Sequence, residues 1–239
     1  RFYMWDAEGA FGIYGRPITY NTFTSDLLIT DAQTTSWHYL QALYTLLRVS
    51  PEFRLRFSDR VQKHFFNGGT LVKTNMQVTY LQLRNTINPI MLETIGTPVN
   101  EEFYITWIVS DTRRNNFFTQ LTQQGLWPAT LAPVLSQYGG QIDAGFELAL
   151  SNPNGSGTIY YTTNGSDPRA PGGAIAGMAY TGPIVLSQTA AVQARVRSTT
   201  GAWSPVIEAS FIVPPPAPTF LPAGSADWTL NENWSSTPL

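Results

Sequence analysis

A chain of 239 residues is long enough for one large domain or two ordinary ones, and the change in its patterning along the chain favours two. Hydrophobic residues make up 43% and charged residues only 13%, against about 25% in ordinary globular chains. Thr, Asn, Gln and Ser therefore carry much of the polar surface, as suits an exported protein. A formal net charge of −2 excludes bulk attraction to nucleic acid or an anionic membrane, and the lack of cysteine excludes disulfides, thiolate metal sites and a cysteine nucleophile.

Arg1-Phe2-Tyr3-Met4-Trp5 reads as the middle of a buried strand, with no starting Met and no basic then apolar leader, so we expect a piece of a longer polypeptide. No apolar run approaches the ~20 residues that span a bilayer. Ser36 can cap a helix in which Trp37, Leu40, Leu43, Tyr44 and Leu47 share one face. Ser50-Pro51-Glu52 starts a second, with Ser as N-cap and Pro where a missing N–H costs nothing. Phe53, Phe57, Val61 and Phe65 form its buried stripe, and Gly68-Gly69 is expected to supply a left-handed cap. Further helices are expected over Thr74 to Thr94 and Asn100 to Gln124, with a break near Ser110-Asp111.

Near residue 130 the period changes from helical to alternating. Strands are expected over Phe146 to Leu150, Thr158 to Thr162, Pro183 to Leu186, Ala190 to Ser198 and Val206 to Val213. In the fourth, Val192, Ala194 and Val196 share one face while Gln193, Arg195 and Arg197 share the other, which predicts a sheet with one wet side. Asn164-Gly165 after Ile159-Tyr160-Tyr161-Thr162-Thr163 predicts a tight hairpin turn with both central residues at positive φ, and Asp167-Pro168 ends the strand. Pro214-Pro215-Pro216-Ala217-Pro218 is a stiff spacer before a tail that begins another module.

Chemistry concentrates in Trp5-Asp6-Ala7-Glu8-Gly9. On an extended segment Asp6 and Glu8 point the same way and can reach one divalent cation, although acidic pairs beside glycines also occupy ordinary turns. His38 and His64 lack a second ligand at metal spacing and read as structural. Arg54, Arg56, Arg60 and Lys63 read as a solvated cluster beside Glu52 and Asp59. Tyr160, Tyr161, Tyr180 and Trp203 serve core or corner packing before sugar stacking. Asn164, Ser166 and Asp167 fit either calcium ligation or turn-forming bonds to the backbone, and Asn154, Asn164 and Asn233 sit in glycosylation sequons.

Two resemblances organise these signals. Ile159 to Arg169, with Tyr180-Thr181-Gly182-Pro183-Ile184, Ala191 to Ser198 and Gly201-Ala202-Trp203-Ser204, resembles the chitobiase/β-hexosaminidase C-terminal domain, which implies a small Ig- or fibronectin-like antiparallel β-sandwich. Trp5-Asp6-Ala7-Glu8, the Arg54 to Gly69 helix and the Gln120 to Pro128 stretch resemble the C-terminal lobe of CotH-type (spore-coat protein H) kinases. That resemblance implies a mainly helical kinase-like lobe, ATP and Mg2+ as cofactors, Asp6 as the metal ligand that bridges to nucleotide phosphate, and a secreted or surface protein as substrate. Glu8 stands where the family motif has Asp. The phosphate-binding Lys and catalytic Asp of that family would lie upstream of Arg1, so this segment alone is an incomplete kinase.

The expected organisation is thus α+β and multidomain: 1–130 helical, 131–213 sandwich, 214–239 linker and further module. The leading expectation is a secreted or cell-surface CotH-type protein with an appended spacer or docking sandwich, its partners including the other domains of the same polypeptide. The alternative is a non-enzymatic adhesion or structural protein that assembles into an extracellular structure on a degenerate kinase-like scaffold.

Overall fold

The computed structural model describes residues 39–98 and 110–216. Among the described residues four helices come first: α1 Tyr39–Leu47, α2 Pro51–Phe65, α3 Lys73–Ile95 and α4 Asp111–Gln123. Ser36, Trp37 and His38, like Asp6 and Glu8, lie outside the described residues. The α2 start follows the sequence, since the Ser50 hydroxyl accepts from the Phe53 N–H at 3.4 Å and Pro51 takes the first turn. Ser110 caps α4 in the same way, through the Arg113 N–H. The end of α2 differs from expectation: Asn67 and Gly68 are the left-handed residues, with φ of 51° and 80°, and Gly69 is not among them.

Phe53, Phe57 and Phe65 of α2 pack with Val61 against the fully buried Leu121 and Leu126, joined by Tyr44, Phe117, Phe118 and Trp127. Ring contacts tie this small core together, with Phe65 stacked on Phe117 at 4.9 Å and Phe66 on Trp127 at 5.6 Å. Leu43 and Leu47 of the α1 stripe stay exposed, whereas Tyr44 packs against the core. Helix α3 buries none of its residues and ends at Gly96, whose positive φ of 72° lets its N–H reach the Leu92 carbonyl. No described helix is long and apolar enough to cross a membrane.

Nine short strands follow among the described residues, and they group into three sheets sharing one core. They are β1 Val134–Leu135, β2 Gly140–Gln141, β3 Phe146–Leu148, β4 Leu150–Ser151, β5 Thr158–Thr162, β6 Met178–Ala179, β7 Ile184–Leu186, β8 Ala190–Arg197 and β9 Ile207–Ile212. The main sheet runs β2-β9-β8-β5-β6, and the pairs β1-β4 and β3-β7 stand apart from it. Leu148, Ile184 and Leu186 from one pair and Leu135 and Leu150 from the other meet Val192, Ala194, Val196, Ile207, Ala209 and Phe211 of the main sheet. Each large apolar side chain so enclosed contributes about 1.5–3 kcal/mol. The ladders are antiparallel except β2-β9, which is parallel with Gly140 opposite Phe211, a departure from the all-antiparallel expectation.

Asn164-Gly165 does not form the expected hairpin. Of the two only Gly165 has positive φ, at 77°, and the next strand to pair with β5, the antiparallel β6, begins only at Met178, too far along for a two-residue turn. The Asn164 carboxamide oxygen instead accepts from the Ser166 N–H, an Asx turn, while Gly165 N–H donates to the Ala191 carbonyl. The side chain thus competes for the backbone, and Asn164 is held against β8 as an isolated bridge to Ala191.

Candidate functional site

The face of β8 expected to be wet is covered. Helix α2 packs on the neighbouring β9 and reaches this face through Asp59, and Arg195, in the second half of the strand, is only 1% exposed. Its guanidinium has five N–H donors, and each is used. Nε and Nη2 donate to the two carboxylate oxygens of Asp167, each at 2.7 Å. Nη1 and Nη2 donate to the two oxygens of Asp59 on α2, also at 2.7 Å, and Nη1 reaches the Ser204 carbonyl at 2.8 Å. Asp59 accepts in addition from the Val206 N–H, and Asp167 from the Arg169 N–H.

Burial by itself would lower the pKa of Arg195, but the hydrogen bonds and charges of Asp167 and Asp59 outweigh it and hold the guanidinium firmly ionised. Burial likewise pushes the Asp167 carboxyl up, and the Arg195 and Arg169 contacts more than reverse this, leaving it below the usual carboxylate range. Two further pairs cross the same seam: Glu52 to Arg169 at 2.7 Å and Lys63 to Glu208 at 2.8 Å. The Arg169 hydrogen bond is the main reason that the Glu52 carboxyl is lowered.

Beside this bridge a groove of about 710 Å³ opens between the start of α2 and the loops at 171–173 and 198–203. Three guanidiniums line it, those of Arg54, Arg169 and Arg197, and no carboxylate does. Arg54 is spent on main chain, its Nε donating to the Arg48 carbonyl at 2.7 Å and Nη2 to that of Val49. Arg197 lies over the Trp203 ring, 5.8 Å from its centroid. A Cβ at Gly201 would stand 3.5 Å from Arg197 Nη2, so the bare glycine keeps the approach to that group open.

The comparisons bear on the sheet. Residues 148–211 match the Fn3-associated family model. The family is typical of extracellular bacterial multidomain proteins, and the match runs from the last residue of β3 into β9 and includes Arg195 and Asp167. Nothing before residue 148 in the chain matches a family, including the stretch resembling CotH-type kinases. No curated protein and no solved structure matches the chain.

Within the Fn3-associated region the aromatic residues serve packing. The buried Trp203 donates its indole N–H to the Gly173 carbonyl at 3.0 Å and meets Tyr160, while Tyr161 packs edge-on against Tyr180. Arg197 covers one part of the Trp203 ring and Tyr160 another, so that only 8% of the residue is exposed. The oxygens considered for calcium are taken: Asp167 by Arg195, and Asn164 by the Ser166 N–H and hydroxyl. No group of three acidic or His side chains is placed to hold a metal among the described residues. The Asn154 sequon is also engaged, its amide bonding both N–H and carbonyl of Leu131.

Of the basic cluster on α2, Arg56 pairs with Glu52 in an exposed i, i+4 contact, as expected. Lys63 instead crosses to the sheet, and Asp59, read from sequence as a solvated neighbour, is a principal partner of the buried Arg195. His64 contacts the Thr70 hydroxyl at 3.0 Å, a local structural role.

Proposed function

We propose that this chain belongs to a secreted or cell-surface protein in which the sheet region, of the chitobiase C-terminal type, is a spacer or docking unit set at a fixed angle to the helices before it. The observation that carries the reading is the Arg195 guanidinium saturated by carboxylates from both parts. A flexible junction would leave such a group in water. The low charge content and the usual setting of the Fn3-associated family support export.

Because the chain has no cysteine, two can be introduced cleanly. Spin labels at Arg56→Cys on the exposed side of α2 and Val185→Cys on β7 should give one narrow distance distribution, since both side chains are well exposed. A broad distribution refutes the fixed angle.

The enzymatic reading rests on the CotH resemblance alone. There Asp6 holds Mg2+ on ATP with Glu8 beside it, and a secreted protein receives the phosphate. Loss of phosphotransfer in Asp6→Ala of the full-length parent, with thermal stability unchanged, is its test.

A further inference from the structure

The seam groove has a chemistry that the structural role does not use. Among the described residues Arg197 donates to no protein acceptor, although it is half-buried and strand-borne, and its Nε is shut off from solvent. Arg54 has carbonyl partners but no carboxylate within ion-pairing distance. Of the three lining arginines only Arg169 is neutralised, by Glu52. Two uncompensated cations therefore share one concave space with apolar walls from Pro51, Leu55 and Pro128. That volume lies in the range of small-molecule sites, about 300–1,000 Å³.

We propose that this groove binds an oxyanion, a carboxylate or phosphate carried on a small, partly apolar body, with Arg197 as the principal donor and Arg54 as the second charge. Guanidinium suits this because its parallel N–H groups match both carboxylate and phosphate oxygens in a two-point contact. Arg197 is aligned in advance by the Trp203 ring beneath it, so little side-chain freedom is lost on binding. Asp59 and Asp167 do not compete, being saturated by Arg195. The inference is independent of the spacer role, since a rigid seam can exist with or without a ligand.

The test is calorimetric titration of the whole chain with citrate and, separately, with inorganic phosphate, against sodium chloride at matched ionic strength. Saturable binding at millimolar concentration or below is expected, weakening with added salt. Arg197→Gln should bind about tenfold more weakly or worse, which corresponds to about 1.4 kcal/mol. Ala202→Glu places a tethered carboxylate on an exposed lining position; it should raise the melting temperature and abolish binding of both probes. Tighter binding of citrate than phosphate identifies the ligand as a carboxylate, and the reverse as a phosphate. No saturable binding of either probe beyond the chloride control, or undiminished affinity in both folded variants, overturns the proposal.

Discussion

Replacing Arg195 by Met keeps most of the side chain's bulk but removes all five N–H donors at the seam. Asp59 and Asp167 are then left as two carboxylates facing one another with no cation between them. Stripping one partner from a buried ion pair costs about 3–5 kcal/mol, chiefly because a desolvated charge remains. The side chain of Asp167 is 39% exposed and can be rehydrated, whereas that of Asp59 is 16% exposed. The lower end, about 3 kcal/mol, is therefore expected. For a chain of this size that is a fall of roughly 6–12 °C in melting temperature. Urea denaturation followed by circular dichroism, for Arg195→Met, Asp59→Asn and the double variant, measures it. The double variant should be less destabilised than the sum of the singles, because Asp59→Asn removes one stranded charge. A cost below about 1 kcal/mol for Arg195→Met, or strict additivity, would show the bridge to be no more than a solvated surface pair.

Acid should loosen the same seam. The carboxyls of Asp167 and Glu52 are lowered in the folded protein, so the unfolded chain takes up protons first. Their contribution is complete above the ordinary values of about 4 and is lost as pH falls through the lower folded values. Urea midpoints at neutral pH and near pH 3 test this, and equal midpoints would contradict it. Gly157→Ala should destabilise by about 2 kcal/mol or more, because φ is +94° and a Cβ would stand 2.7 Å from the Arg197 carbonyl. Gly155→Ala, at φ +68° with open space around it, should cost about 1 kcal/mol, and thermal melts that rank the two the other way would refute the steric argument. Asn154→Ala should cost about 1–2 kcal/mol through the lost pair of bonds to Leu131, read by the same melts.

The strands were legible because alternation is a local property. Ile207, Ala209 and Phe211 are inward and Glu208, Ser210 and Ile212 outward, as a period of two requires. The helix start at Ser50-Pro51 was legible for the same reason, since a cap acts on its own turn. What the pattern could not convey was the covering of β8's second face. Gln193, Arg195 and Arg197 read as a solvent stripe, and only the arrival of α2, whose Asp59 stands 136 positions earlier in the chain, turns the middle member into a buried cation. The available signal was positional: an arginine inside the longest strand, between Ala194 and Val196, pairs with Tyr160 of β5, and its neighbour Ala194 is flanked by β5 on one side and β9 on the other, so this strand is not an edge strand. Asn164-Gly165 misled in the opposite direction, because a turn dipeptide is also a good Asx-turn former.

The parallel pairing of β2 with β9 has a mechanical consequence. One strand carries the chain into the sheet and the other carries it out in the same direction, with Gln141 opposite Ile212 and the Ile142 N–H bonded to the Ile212 carbonyl. Tension drawn along the polypeptide from before β2 and beyond β9 therefore pulls these neighbours past each other lengthwise. Their hydrogen bonds are loaded together in shear and cannot be peeled apart one at a time, which is the arrangement that best resists being pulled open.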